Sequence, residues 1–111
     1  MKSKDAVNAL SALAHETRLA VFRTLVQAGE EGLTVGEIAE RLKVPNATLS
    51  FHLKELTHVG LVLAEQQSRF IRCTANFKAM DKLVGFLTEN CCSGASCDVR
   101  AHACKPRKVS A

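Results

Sequence analysis

The chain has 111 residues, 47% of them apolar and 23% charged, with a formal net charge of +4. That is material for one small domain with a single core and is too apolar for general disorder, while no apolar run approaches the roughly 20 residues of a membrane span. Met1–Asp5 leads into no secretory leader, so the expected location is the cytoplasm. The charge is uneven: Arg100, Lys105, Arg107 and Lys108 against Asp98 give residues 90–111 a charge of +3, which leaves +1 for residues 1–89.

Apolar residues first recur at helical spacing in Ala6, Val7, Leu10, Leu13 and Ala14, and again in Leu19, Phe22, Leu25 and Val26 before Gly29. Thr34-Val35-Gly36-Glu37 reads as a capping box, in which the threonine hydroxyl and the glutamate each satisfy an end N–H. The helix it opens carries Val35, Ile38, Ala39 and Leu42 and stops before Pro45. Pro45-Asn46 then starts a helix running to about Gly60. The period changes to two extended stretches, Leu61–Gln66 and Arg69–Thr74, joined at Gln67-Ser68 without the glycine a tight hairpin favours. A last helix covers about Asn76–Glu89. The expected fold is mainly α with a small β-hairpin, as residues 1–89, followed by a flexible basic tail at 90–111.

On a helical wheel the 46–60 helix gathers Leu49, Leu53 and Leu56 into one narrow arc, the stripe to be buried. Ala47, Thr48, Phe51, Lys54, Glu55 and His58 lie opposite, with Ser50 and His52 on the flanks. A helix with small and polar residues on its outer N-terminal face, preceded by a short helix and a tight turn, is a helix-turn-helix arrangement, whose side chains reach base edges in the major groove. The hairpin would be its wing. Thr48, Ser50, Phe51, His52 and Lys54, with Arg69 and Arg72 on the wing, are therefore the candidate contacts to double-stranded operator DNA. Taken alone, the helix is equally an ordinary amphipathic one with a solvated face; the order of the elements favours the winged helix.

Thr48-Leu49-Ser50-Phe51-His52-Leu53-Lys54-Glu55-Leu56, followed by Val59-Gly60-Leu61-Val62, resembles the recognition helix of the ArsR/SmtB metal-sensing repressors. Leu13–Leu19 is similar to the start of that family's second helix, and Thr34–Leu42 to its third. The resemblance spans residues 8–88 and implies a homodimeric winged-helix repressor that leaves its operator on binding an inducer. The chain departs from the family at Phe51, where a polar residue is usual, and at the wing turn, which lacks glycine. Val35–Leu42 holds no cysteine pair, and the last helix has Asp81 and Glu89 but no histidine, so any inducer has to bind elsewhere.

Four of the five cysteines, Cys91, Cys92, Cys97 and Cys104, fall in the last 21 residues. An odd count in a reducing compartment argues against a disulfide framework. Cys91, Cys92 and Cys97 place three soft thiols on one short glycine-containing loop, a match for three-coordinate As(III) or Sb(III), and some arsenic-sensing relatives carry a similar C-terminal group. The leading expectation is an arsenite- or antimonite-responsive repressor with As(III) as inducer. Three alternatives remain: Zn²⁺ or Cd²⁺ with His102 or Cys104 as a further ligand, thiol oxidation, and a metal-sequestering protein. A thiol enzyme is disfavoured, since no Cys-x-x-Cys on a βαβ unit, phosphate loop or Ser/His/Asp set is present. The last helix bears an apolar arc of Phe77, Met80, Leu83, Val84 and Leu87, with Phe86 and Ala79 pointing elsewhere. Two apolar sides imply a homodimer formed with the first helix.

Overall fold

The computed structural model describes residues 1–91, in the order α1 (Ser3–Leu13), α2 (Glu16–Ala28), a 3₁₀ turn (Gly29–Glu31), β1 (Leu33–Thr34), α3 (Val35–Leu42), α4 (Asn46–His58), β2 (Val62–Gln67), β3 (Phe70–Ala75) and α5 (Phe77–Leu87). Local chemistry sets the helix starts. His15 Nδ1 accepts from the Thr17 N–H at 3.2 Å to begin α2. The Thr34–Glu37 box closes in both directions, the Glu37 N–H donating to Thr34 Oγ1 at 3.2 Å and the Thr34 N–H to Glu37 Oε1 at 2.8 Å. The Thr34 N–H and then the Thr34 hydroxyl, which donates to Glu37 Oε1 at 3.2 Å, hold the exposed Glu37 carboxyl below its ordinary range. Asn76 begins α5 by accepting from the Ala79 N–H, and its side-chain amide donates to the Gly60 carbonyl at 2.8 Å, fastening α5 to the end of α4.

The strands form one antiparallel sheet in the order β1-β3-β2. Its inner face carries Val62, Cys73 and Ala75 into a core built with Val21, Leu25, Ile38, Leu49, Leu56 and Leu61. α1 enters that core through Ala6, Ala9 and Ala12, a stripe of small residues that lets the helix lie close. Winged helix-turn-helix architecture, mainly helical with a small sheet, is thus the fold. Among the described residues no helix is long and apolar enough to cross a membrane.

The structure corrects several sequence expectations. The wing turn is Ser68-Arg69, not Gln67-Ser68, because Gln67 pairs with Phe70 and closes the hairpin one residue later. Ser68 takes φ 58° at the first central position, where hairpins of this kind prefer glycine. β1 was not expected at all; it adds Leu33 and Thr34 opposite Cys73 and Arg72. On α1 the larger Val7 and Leu10 face outward, and Leu19 of α2 is exposed. On α5, Phe86 and Ala79 pack against the core, while Leu87 is the exposed residue. Leu83 alone is fully buried there.

Candidate nucleic-acid interface

α3 and α4 are joined by Lys43-Val44-Pro45. Lys43 takes φ 55° to end α3, the Val44 N–H returns to the Ala39 carbonyl at 3.1 Å, and Pro45 precedes the first turn of α4. Leu49, Leu53 and Leu56 are buried as their spacing requires, which turns Asn46, Ala47, Thr48, Ser50, Phe51 and Lys54 to solvent. The outer face of α4 therefore offers two hydroxyls, a cation and a phenyl ring over its first two turns.

His52 does not join that face. It is 6% exposed, facing inward beside Leu49 and Leu53, and it belongs to the support beneath the face. Arg18 Nε donates to His52 Nδ1 at 3.2 Å, and the His15 ring lies 4.6 Å from the His52 ring, centroid to centroid. The same guanidinium sits 5.7 Å from the centroid of Phe51, whose ring meets His52 edge to face at 5.5 Å. One arginine on α2 thus contacts both the buried histidine and the exposed phenyl, a cation–π contact that favours the orientation of the Phe51 ring. Sequence reasoning assigned Arg18 and His15 no role; their partners lie more than thirty residues away, and no local pattern announces them.

A ring that accepts at Nδ1 from a guanidinium is neutral. Burial, then electrostatic repulsion by His15 and Arg18, push the His52 pKa below its ordinary value, against a weaker opposing pull from Glu55. The unfolded chain therefore binds this proton more readily than the folded one, so stability is retained above the unfolded value near 6.5 and falls as pH drops below it. Urea midpoints measured from pH 7.5 to 5 are expected to decline more steeply for the wild type than for His52→Gln, whose amide oxygen can still accept from Arg18. Equal slopes would show that His52 does not carry the pH dependence.

The two wing arginines differ. Arg69 is at the tip of the turn, exposed and without a partner among the described residues. Arg72 is half-buried and engaged: Nε donates to Gln67 Oε1 and a terminal nitrogen to the Glu31 carbonyl, both at 3.1 Å. Arg72 is a strut between the wing and the 3₁₀ turn, and Arg69 is the cation presented outward.

Of the cysteine cluster, Cys91 is described. It follows the end of α5, half-buried, with its N–H donating to the Thr88 carbonyl at 3.0 Å. Cys92, Cys97, His102 and Cys104 lie outside the described residues. Cys73 is 1% exposed in the core, and burial pushes its thiol pKa up, away from the thiolate that soft ions need.

Comparison with known proteins agrees with this geometry. A helix-turn-helix domain family matches residues 13–63. A Bacillus subtilis (strain 168) protein described as "Uncharacterized HTH-type transcriptional regulator YceK" is 39% identical over 70 residues, covering 61% of this chain and 69% of that one. A Halobacterium salinarum protein described as "Putative arsenical resistance operon repressor ArsR" is 42% identical over 64 residues, 58% of this chain and 49% of its own length. Among solved structures, an ArsR-like transcriptional regulator from Rhodococcus sp. RHA1 superposes with a TM-score of 0.70 at 26% identity, covering 97% of this chain and 96% of that one.

Proposed function

The chain belongs to the helix-turn-helix transcriptional regulators, and we propose that within them it is a homodimeric repressor of the ArsR/SmtB type, released from its operator by arsenite or antimonite. The observation that carries the DNA half is the outward face of α4, with Thr48, Ser50, Phe51 and Lys54 exposed over a fully buried leucine stripe and Arg69 presented alongside on the wing. Thr48 and Ser50 read base edges, Phe51 packs on thymine methyls, and Lys54 and Arg69 neutralise phosphates.

The inducer half rests on thiol chemistry and position. Arsenous acid exchanges its three hydroxides for the thiolates of Cys91, Cys92 and Cys97; three As–S bonds form, three As–O bonds break, and three waters leave with the thiol protons. Cys91 stands four residues past the end of α5, the helix whose exposed Leu87 suits a partner chain. Closing a loop there biases how two protomers sit against each other. The similarity to a relative described as an arsenical resistance operon repressor supports the choice of ion. A coupling of about 1–3 kcal/mol would weaken operator binding about 5–150-fold.

The test is arsenite-driven release of a fluorescent duplex, selected for wild-type binding from a randomised pool, followed by anisotropy. Cys91→Ser, Cys92→Ser and Cys97→Ser are each expected to bind the duplex normally and resist release, because a two-sulfur site retains a hydroxide and holds arsenic less tightly. Cys104→Ser and Cys73→Ala are expected to release as the wild type does. Full release by the first three variants would remove the proposed site. Equal release by Cd²⁺ or Zn²⁺, lost in Cys104→Ser, would replace it with a four-ligand metal site, and release by peroxide reversed by dithiothreitol would replace it with a thiol switch.

A further inference from the structure

We propose that Phe70, on the wing beside Arg69, is an apolar wedge that enters the minor groove next to the half-site read by α4, adding selection for base steps that deform easily. This rests on α4 being the recognition helix and extends the interface to a second groove. Phe70 is 62% exposed, more than any other large apolar side chain among the described residues. Val7 and Leu10 lie together on α1, Phe51 lies under Arg18, and Leu63 and Ile71 sit further down the same hairpin, so Phe70 is the exposed apolar residue closest to the wing tip. Phe70 stands at the closing pair of the hairpin, opposite Gln67, with polar Gln66, Gln67, Ser68 and Arg69 around the turn.

The tip is also held in shape. Gln66 Nε2 donates to the Ser68 carbonyl at 2.9 Å, Gln67 Nε2 donates to Glu65 Oε1 at 3.1 Å, and Arg72 ties Gln67 to the Glu31 carbonyl. A phenyl ring on a braced two-stranded ribbon loses little freedom when it docks. One ring at the tip, even with the exposed Ile71 beside it, is far short of the roughly 800 Å² per partner that a stable protein interface needs, but it suits a groove about 6 Å wide. The unpartnered Arg69 supplies the matching charge, since the negative potential of a narrow A·T minor groove attracts arginine. Apolar side chains at such a position part a base step and kink the duplex. The steps that yield most readily are pyrimidine–purine ones, so the wing selects TA or CA steps without bonding to any base.

The experiment uses the full chain and end-labelled duplexes selected from a randomised pool, reading affinity, its salt slope and the end-to-end energy transfer that reports bending. Phe70→Ala is expected to lose about tenfold in affinity, to leave the salt slope unchanged, to straighten the bound duplex, and to lose the preference for TA over GG at the flanking step. Phe70→Leu, which retains a wedge, is expected to retain the bend. Arg69→Ala is expected to lower the salt slope by about one phosphate. Unchanged affinity, bend and step preference in Phe70→Ala, with Lys54→Ala still weakened, would overturn the wedge and leave the α4 reading intact. If Lys54→Ala and Thr48→Ala also bound as the wild type does, or if no duplex were selected, the DNA reading itself would fall.

Discussion

Gly32→Ala is expected to cost the protein a large part of its stability. Gly32 has φ 67° and ψ −164°, a backbone region that is costly for any residue with a side chain. It also lies tight against β3: an added methyl would collide with the Cys73 carbonyl oxygen and the Thr74 methyl. Backbone strain of about 1–3 kcal/mol and overpacking of about 1–3 kcal/mol act together, against the roughly 5–15 kcal/mol typical of a domain. Urea unfolding should show a much lower midpoint with an unchanged slope. Gly29→Ala is the control, since Gly29 shares a positive φ of 77° but an added methyl there meets nothing within 4 Å. It should lose only the strain component. Equal losses in the two variants would show that β3 gives way and that the close approach is not what requires glycine.

Leu10→Glu combined with Leu87→Glu is expected to abolish tight operator binding while leaving α4 untouched. Both leucines are exposed, at 41% and 57%, on helices that pack against each other within the chain. Carboxylates there cannot be buried against a second copy without a heavy desolvation cost. Sedimentation at micromolar concentration should show dimers for the wild type and monomers for the variant. Losing the linked second half-site removes the avidity gain, of the order of 10²–10⁴ in affinity, whereas binding to a single half-site should persist at the weaker level. A wild type that sediments as a monomer and still binds the full duplex would refute the assembly.

What was legible in the sequence is what depends on near neighbours along the chain. The Thr34–Glu37 box is complete within four residues, and the leucines of α4 repeat within two turns, so both could be placed from the residue pattern. The wing turn slipped by one residue because Ser68 occupies a left-handed position that a glycine would have marked. β1 was not legible because two residues carry no period; the strand exists through the approach of Gly32 to β3. His52 was read as a flank residue because a wheel knows nothing of α2, and it is Arg18 and His15 that make its burial affordable. The cysteine cluster stands out by residue type alone, and its chemistry is a proposal resting on that. Of its geometry, only the placement of Cys91 after α5 falls within the described residues.

The fastening of Arg72 to the Glu31 carbonyl governs how such a molecule can be switched. That bond ties the wing to the 3₁₀ turn, and Asn76 ties α5 to the end of α4, so wing, helix-turn-helix and the start of α5 are linked to one another. Each half is then like one jaw of a caliper, stiff along its length and adjustable only at the joint. On the proposed homodimer, an effector would act by altering the angle at which the two jaws meet. Because operator half-sites sit about 34–36 Å apart, a small angular change at the joint of the proposed dimer would grow with distance into a mismatch at the wing tips, so that the grip on DNA would be lost far from the effector itself.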